Sequence, residues 1–246
     1  MKKTEIIMGM PVTVDIVGNS DSHIFKKVFD YFRYVDGKFS TYKKESEISK
    51  INRGEIFEKD FSSDMKLIFQ LAEQTKKETD GYFDMARNDG VVDPSGIVKG
   101  WTIFNAAEII ARENFDNFYV DAGGDVEARG LNSSGKKWGV GVRNPFNPGQ
   151  IVQVLEVSNM GVATSGTYER GLHIYNPKTG LEAQEIASIT VVGPNVYEAD
   201  RMATAAFAMG VNGIGFIEKQ KNLEGYAINN KGIATLTSGF EKYLQE

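Results

Sequence analysis

Ile6, Met8, Met10, Val12, Val14 and Ile16 alternate with mostly polar neighbours, a period of two that predicts a β-strand. Pro11 inside that run places the strand at a sheet edge or on a bulge, because proline cannot donate to a ladder. The period then lengthens. Ile24, Phe25, Val28, Phe29, Phe32 and Val35 recur at helical spacing after the cap signal Ser20-Asp21-Ser22. A second helix is predicted over 63–79, with Met65, Ile68, Leu71, Ala72 and Thr75 on one face and Asp80-Gly81 as its stop. A third begins near Ile97 and runs past Trp101, Phe104 and Ile110 to Arg112.

Beyond residue 112 short strands separated by glycine take over, at 118–121, 138–143, 151–157, 172–175 and 186–192. Asn195-Val196-Tyr197-Glu198 reads as a capping box that opens a helix through Met209. Residues 225–228 and 233–236, joined by Asn229-Asn230-Lys231-Gly232, form a hairpin. Strands and helices do not alternate as a doubly wound fold requires. Meandering antiparallel strands with helices packed on one side predict an α+β architecture. No repeat, low-complexity tract or linker interrupts the chain, so residues 1–246 are expected to form a single domain.

Composition narrows the function. The 246 residues are 41% hydrophobic and 25% charged, as in ordinary globular proteins. Twenty-eight Lys and Arg against 33 Asp and Glu leave a net charge of −5, which argues against a nucleic-acid partner. The absence of cysteine removes disulfides, thiolate metal sites, iron–sulfur clusters and cysteine nucleophiles. With only His23 and His173, a histidine-rich metal cage is excluded too. No apolar run reaches the roughly 18–20 residues that span a bilayer. The start of the chain lacks the apolar core of a signal peptide. A cytoplasmic protein without a membrane anchor is expected.

Five places have residues suited to chemistry. In Asp93-Pro94-Ser95-Gly96-Ile97-Val98-Lys99-Gly100 a tight turn lets backbone approach a ligand, and the helix start that follows favours anions. Asp93 and Lys99 flank it with opposite charges, although the same residues also read as a loop with a surface ion pair. Asp121-Ala122-Gly123-Gly124-Asp125 follows a strand, where a glycine pair serves either a phosphate cradle or a turn. Neither a Gly-x-Gly-x-x-Gly fingerprint nor a Walker loop is present. Thr164-Ser165-Gly166-Thr167-Tyr168-Glu169-Arg170 leads to His173, whose ordinary pKa suits a general acid or base at neutral pH. His23, at a helix start, reads as a surface or capping residue. Asp200 and Thr204, four apart on one helix face, are hard oxygen donors that suit magnesium rather than zinc. Last, Tyr42 and the run Tyr82-Phe83-Asp84 combine aromatic rings with polar groups. They are equipped to sandwich a flat ring or, equally, to plug a core.

The order of these pieces carries more than any one of them. Met8-Gly9, Phe39-Ser40-Thr41-Tyr42, Ser46-Glu47-Ile48-Ser49-Lys50-Ile51-Asn52 and Gly81-Tyr82-Phe83-Asp84 are followed by Asp93 to Gly100 and by Gly123-Gly124-Asp125. Thr164-Ser165-Gly166-Thr167-Tyr168, His173-Ile174-Tyr175-Asn176-Pro177-Lys178-Thr179-Gly180 and Ala199-Asp200-Arg201-Met202-Ala203-Thr204 complete the series. Over nearly the whole chain this series resembles the FAD:protein FMN transferases, the ApbE-type flavin transferases. The resemblance implies a T-fold-like α+β protein with two closely associated lobes and FAD in the cleft between them. It also implies magnesium-dependent movement of the FMN half of FAD onto a threonine hydroxyl of a target flavoprotein, releasing AMP. By position, Met8, Tyr42, Tyr82, Phe83 and Asp84 would contact the flavin or adenosine, with Asp93, Lys99 and Ile174 also at FAD. The Gly96 carbonyl, Asp200 and Thr204 would hold magnesium, and His173 would be the general base. The family's lipobox is missing, and the stretch between Asp84 and Asp93 is shorter than the family's usual one. With water in place of threonine the same site would be a pyrophosphatase yielding FMN and AMP. Without chemistry it would be an FAD carrier or sensor.

Overall fold

In a computed structural model, which describes residues 1–18, 22–167 and 174–245, the N-terminal alternating run is two strands rather than one. β1 (Lys2–Ile7) and β2 (Met10–Ile16) pair antiparallel, and the chain reverses at Met8 and Gly9, both with positive φ. The turn shifts the phase of the alternation, so Ile7 enters the core and Ile6 stays 74% exposed. Pro11 also departs from the edge expectation, because β2 lies between β1 and β3 (Phe118–Ala122). The Pro11 carbonyl accepts from Gly123 N at 3.1 Å, just past the last β2–β3 pair, Val12↔Ala122. In extended backbone the N and O of one residue face the same side, so the missing N–H falls beyond the ladder and costs no pairing.

The helices follow the pattern closely. α1 (Ser22–Phe39) buries Ile24, Phe25, Val28, Phe29, Phe32 and Val35, while Ser20 and Asp21 of its expected cap lie outside the described residues. α2 (Glu47–Asn52) is capped by Ser46. α3 (Ser63–Glu78) buries Met65, Ile68, Ala72 and Thr75 and gives way to Asp80 and Gly81, both at positive φ. α4 (Ser95–Arg112) starts two residues before Ile97. α5 (Val196–Ala208) uses half of the expected capping box: Asn195 Oδ1 accepts from Glu198 N at 2.9 Å, but the Glu198 carboxylate turns instead to Arg201.

The strands build one eight-stranded antiparallel sheet in the order β1-β2-β3-β4-β7-β8-β9-β10. β4 is Asp125–Arg129, β7 Met160–Gly166, β8 Ile186–Gly193, β9 Glu224–Asn229 and β10 Ala234–Leu236. β5 (Trp138–Asn144) and β6 (Asn147–Val157) form a separate hairpin inserted between the neighbours β4 and β7. Of the strand expected over 172–175, residues 172 and 173 lie outside the described residues, and Tyr175 makes an isolated bridge to Glu182.

α1 and α4 pack on β1–β3 through Phe25, Phe29, Ile103 and Ile110, while α5 and α6 (Gly213–Glu218) pack on β7–β9 through Met202, Phe207 and Ile217. The opposite face of β4, β7 and β8 is covered by Trp138, Val140, Leu155 and Val157 of the inserted hairpin. Covered from both sides, β8 buries every one of its residues. No helix among the described residues is long and apolar enough to cross a membrane.

α5 sits unusually close to the sheet at Gly161, where a Cβ would fall 1.9 Å from Val196 N and 2.0 Å from Asn195 C. Gly161→Ala is therefore expected to lower unfolding free energy by about 3 kcal/mol in urea denaturation, since backbone on both sides must move. Gly139→Ala, whose Cβ meets nothing nearer than Val154 Cγ1 at 3.7 Å, is the matched control and is expected to be nearly neutral. Equal losses in the two variants would contradict this reading.

Candidate active site

The site forms where α4 and α5 cross, and glycine decides how close they come. A Cβ on Gly100 would lie 2.6 Å from Asp200 Cβ and 2.9 Å from Val196 O. One turn earlier, a Cβ on Gly96 would lie 3.1 Å from Thr204 Cγ2 and 3.2 Å from Phe83 Cε2. Gly96 and Gly100 on one helix thus face Thr204 and Asp200 on the other as two rungs, each four residues apart. The Gly100 N–H, whose helical acceptor would be the Gly96 carbonyl, donates to Asp200 Oδ2 at 2.7 Å. Thr204 Oγ1 stands 3.5 Å from Gly96 O.

A cluster of charge lies behind these rungs. Lys99 Nζ is 2.6 Å from Asp125 Oδ2 and 3.6 Å from Asp200 Oδ1, and both carboxylates are buried. Asp125 Oδ1 accepts from Thr164 N at 3.0 Å, whereas its Oδ2 has no properly aligned hydrogen bond. Burial pushes the Asp200 carboxyl up to about 7; Lys99 opposes the shift, Asp125 adds to it, and the Gly100 N–H opposes it. Two residues along β4 on the same face, Glu127 accepts from Val196 N at 2.7 Å and fixes the first turn of α5. Its pKa is also raised, chiefly by burial, with Arg129 opposing.

The pocket in front of the rungs is walled by the segment between α3 and α4, the start of α4, the end of β7, residues 174–177 and α5. Of the expected residues, Tyr82, Phe83, Asp84, Asp93, Gly96, Lys99, Ile174, Asp200 and Thr204 all line it. Asp84 is held by Lys76 at 2.5 Å and by Ala86 N at 2.9 Å. Asp93 accepts from Ser95 N at 3.0 Å, turning the chain into α4. Met8, half-buried in the β1–β2 turn, and Tyr42, 92% exposed, do not line this pocket. His173 lies outside the described residues.

Thr164, Ser165 and Tyr175 of the motif series also line the pocket, as do Arg87 and Asn88, which no residue pattern marked. Asn52 of α2 was also missed: its side-chain amide donates to Val92 O at 3.0 Å and accepts from Val92 N at 2.9 Å, clamping the strand-like approach to Asp93. Its place at the end of the quoted Ser46–Asn52 motif was the available signal.

Among the described residues no three acidic or histidine side chains group as a metal cage. The pocket nevertheless suits a hard divalent cation, because Gly96 O, Thr204 Oγ1 and Asp200 Oδ1 are all oxygen donors. Once Asp200 is ionised, two buried carboxylates stand against one ammonium and leave negative charge for a cation to meet.

The family model described as ApbE family matches residues 8–91 and 86–227. A curated FAD:protein FMN transferase from Haemophilus influenzae is 27% identical over 278 residues, 86% of this chain and 80% of that protein. One from Escherichia coli is 28% identical over 154 residues, 58% of this chain and 44% of that protein. Among solved structures, the flavin transferase ApbE from Vibrio cholerae superposes with a TM-score of 0.85 at 22% identity, covering 99% of each chain. The ApbE protein of Thermotoga maritima gives 0.85 at 21% identity, covering 100% of this chain and 99% of that one. These likenesses establish the α+β fold, with antiparallel sheets and packed helices.

The raised pKa of Asp200 has a measurable sign. The folded protein holds this proton more tightly than the unfolded chain does, so the group costs stability as pH rises from the ordinary carboxylate range to about 7. In EDTA, Asp200→Asn is expected to raise the melting temperature relative to the parent more at about pH 7.5 than at about pH 4. Thermal denaturation at both pH values checks this, and an equal shift at the two would refute it.

Proposed function

The chain belongs to the ApbE family, and from that premise we propose that it moves the FMN half of FAD onto a threonine hydroxyl of a target flavoprotein, releasing AMP. The observation that carries this reading is the convergence of Gly96, Asp200, Thr204 and Lys99 on the pocket that Tyr82, Phe83 and Ile174 also line. Phosphoryl transfer asks a protein mainly for charge neutralisation and alignment, and this wall is built from groups suited to both.

In this reading Tyr82, Phe83 and Ile174 offer apolar surface to the rings of FAD, and the Lys99 ammonium faces its pyrophosphate. Gly96 O, Asp200 and Thr204 Oγ1 would hold magnesium, which when bound supplies charge neutralisation on the pyrophosphate oxygens. The threonine Oγ forms a bond to the phosphorus on the FMN side. The bond from that phosphorus to the bridging oxygen breaks, and AMP leaves with the oxygen. His173 takes the threonine proton as general base. Gly100 serves by what it lacks, since a side chain there would push Asp200 out of line.

The test is mass spectrometry of a threonine-bearing flavoprotein acceptor incubated with this protein, FAD and magnesium. A gain of one FMN mass that EDTA abolishes is expected. Asp200→Ala is expected to slow transfer by about a hundredfold or more through the metal. Free FMN and AMP with no gain on the acceptor would replace transferase by pyrophosphatase, and undiminished transfer by Asp200→Ala would remove Asp200 from the metal.

A further inference from the structure

Asp125 has no part in the reaction just described, yet it is the hub of the charge cluster behind the site. It is the first residue of β4, 2% exposed, and its two oxygens are engaged differently. Oδ1 is pinned by Thr164 N on β7 at 3.0 Å, and Oδ2 lies 2.6 Å from Lys99 Nζ on α4. The same ammonium is 3.6 Å from Asp200 Oδ1, the oxygen that the Gly100 N–H leaves free. One cation therefore stands between two buried carboxylates and is drawn closer to Asp125.

This division matters because Asp200 Oδ1 has two potential cationic partners, the protein's own ammonium and a divalent ion. Inside a protein the attraction between opposite charges is weakly screened, so an ammonium deprived of one carboxylate is drawn to the other. Lysine's flexible four-carbon stem lets it close the remaining distance. Asp125 itself cannot drift, since Thr164 N and the β3–β4 turn at Gly123 and Gly124 hold it.

We propose that Asp125 is a positioning residue for the cation site: it holds Lys99 off Asp200 Oδ1 and so keeps that oxygen open to a divalent cation. The proposal rests on the assignment of Asp200 to the metal made under Proposed function. Asp125 acts here through Lys99 and is not itself a ligand.

Titration of the full-length protein with Mn²⁺, following free Mn²⁺ by electron paramagnetic resonance, tests this without any turnover. Asp125→Asn is expected to bind Mn²⁺ roughly ten- to a hundredfold more weakly than the parent, the usual range for a lost supporting partner of a ligand. Combining it with Lys99→Met, which removes the competing ammonium, is expected to restore binding towards the parent value. A single variant with parental affinity would overturn the proposal. So would a double variant as weak as the single one, because the loss would then belong to disturbed packing. Lys99→Met alone is expected to bind Mn²⁺ at least as tightly as the parent, and weaker binding overturns the proposal even if Asp125→Asn fails to fold. Asp200→Ala separates the two readings: if it leaves Mn²⁺ binding intact, the metal assignment itself fails.

Discussion

At Gly100 the body of one helix offers a main-chain N–H to a carboxylate on another at 2.7 Å, an approach that a side chain at Gly100 would prevent. The rest of the site depends on this contact. It sets the distance between α4 and α5, and one turn away that distance brings Thr204 beside the Gly96 carbonyl. It also engages one oxygen of Asp200 and leaves the other 3.6 Å from the Lys99 ammonium. Lys99, the neighbour of Gly100, is thereby brought to the buried carboxylate of Asp125.

β4 braces this crossing with two carboxylates on one face, which is a costly way to build a strand. A buried acid is tolerated only when its oxygens are met by donors or cations. Asp125 meets a main-chain N–H and an ammonium, and Glu127 meets the first N–H of α5 and the Arg129 guanidinium. An apolar β4 would bury no charge, but it would leave Val196 N without its carboxylate acceptor and Lys99 without the nearer of its two carboxylates. The raised pKa of Glu127 records the same tension between burial and need.

What could be read from the chain follows from where polarity sits. α1, α3 and α4 bury apolar residues at helical spacing, so their periodicity survives in the sequence, while α5, buried nearly all round, was marked by its cap residue Asn195. β4 and β7 escaped notice because their inward positions are polar or small: Asp125 and Glu127 in one, Gly161, Ala163 and Ser165 in the other. Alternation of hydrophobic and polar residues cannot reveal a strand whose inner face is given over to the site. The hairpin at Met8 and Gly9 hid for the opposite reason, since apolar residues continue through the turn at even positions. The nine expected residues that line one pocket were marked by the order of short motifs. Arg87 and Asn88 stood in no motif, and the clamp of Asn52 on Val92 joins segments forty residues apart, which no local pattern reveals.

Those distances along the chain have a consequence for folding. The Gly100–Asp200 hydrogen bond joins residues one hundred apart, and Asp125 and Thr164 contribute from two further places between them. Such contacts close long loops and form late, after local helices and hairpins have already appeared. During synthesis α4, β4 and β7 all emerge before α5, so a partly made chain holds the lysine and one carboxylate but not the partner that completes the set. The charge cluster is therefore assembled only in a chain that includes α5, and no contiguous fragment ending before α5 contains it.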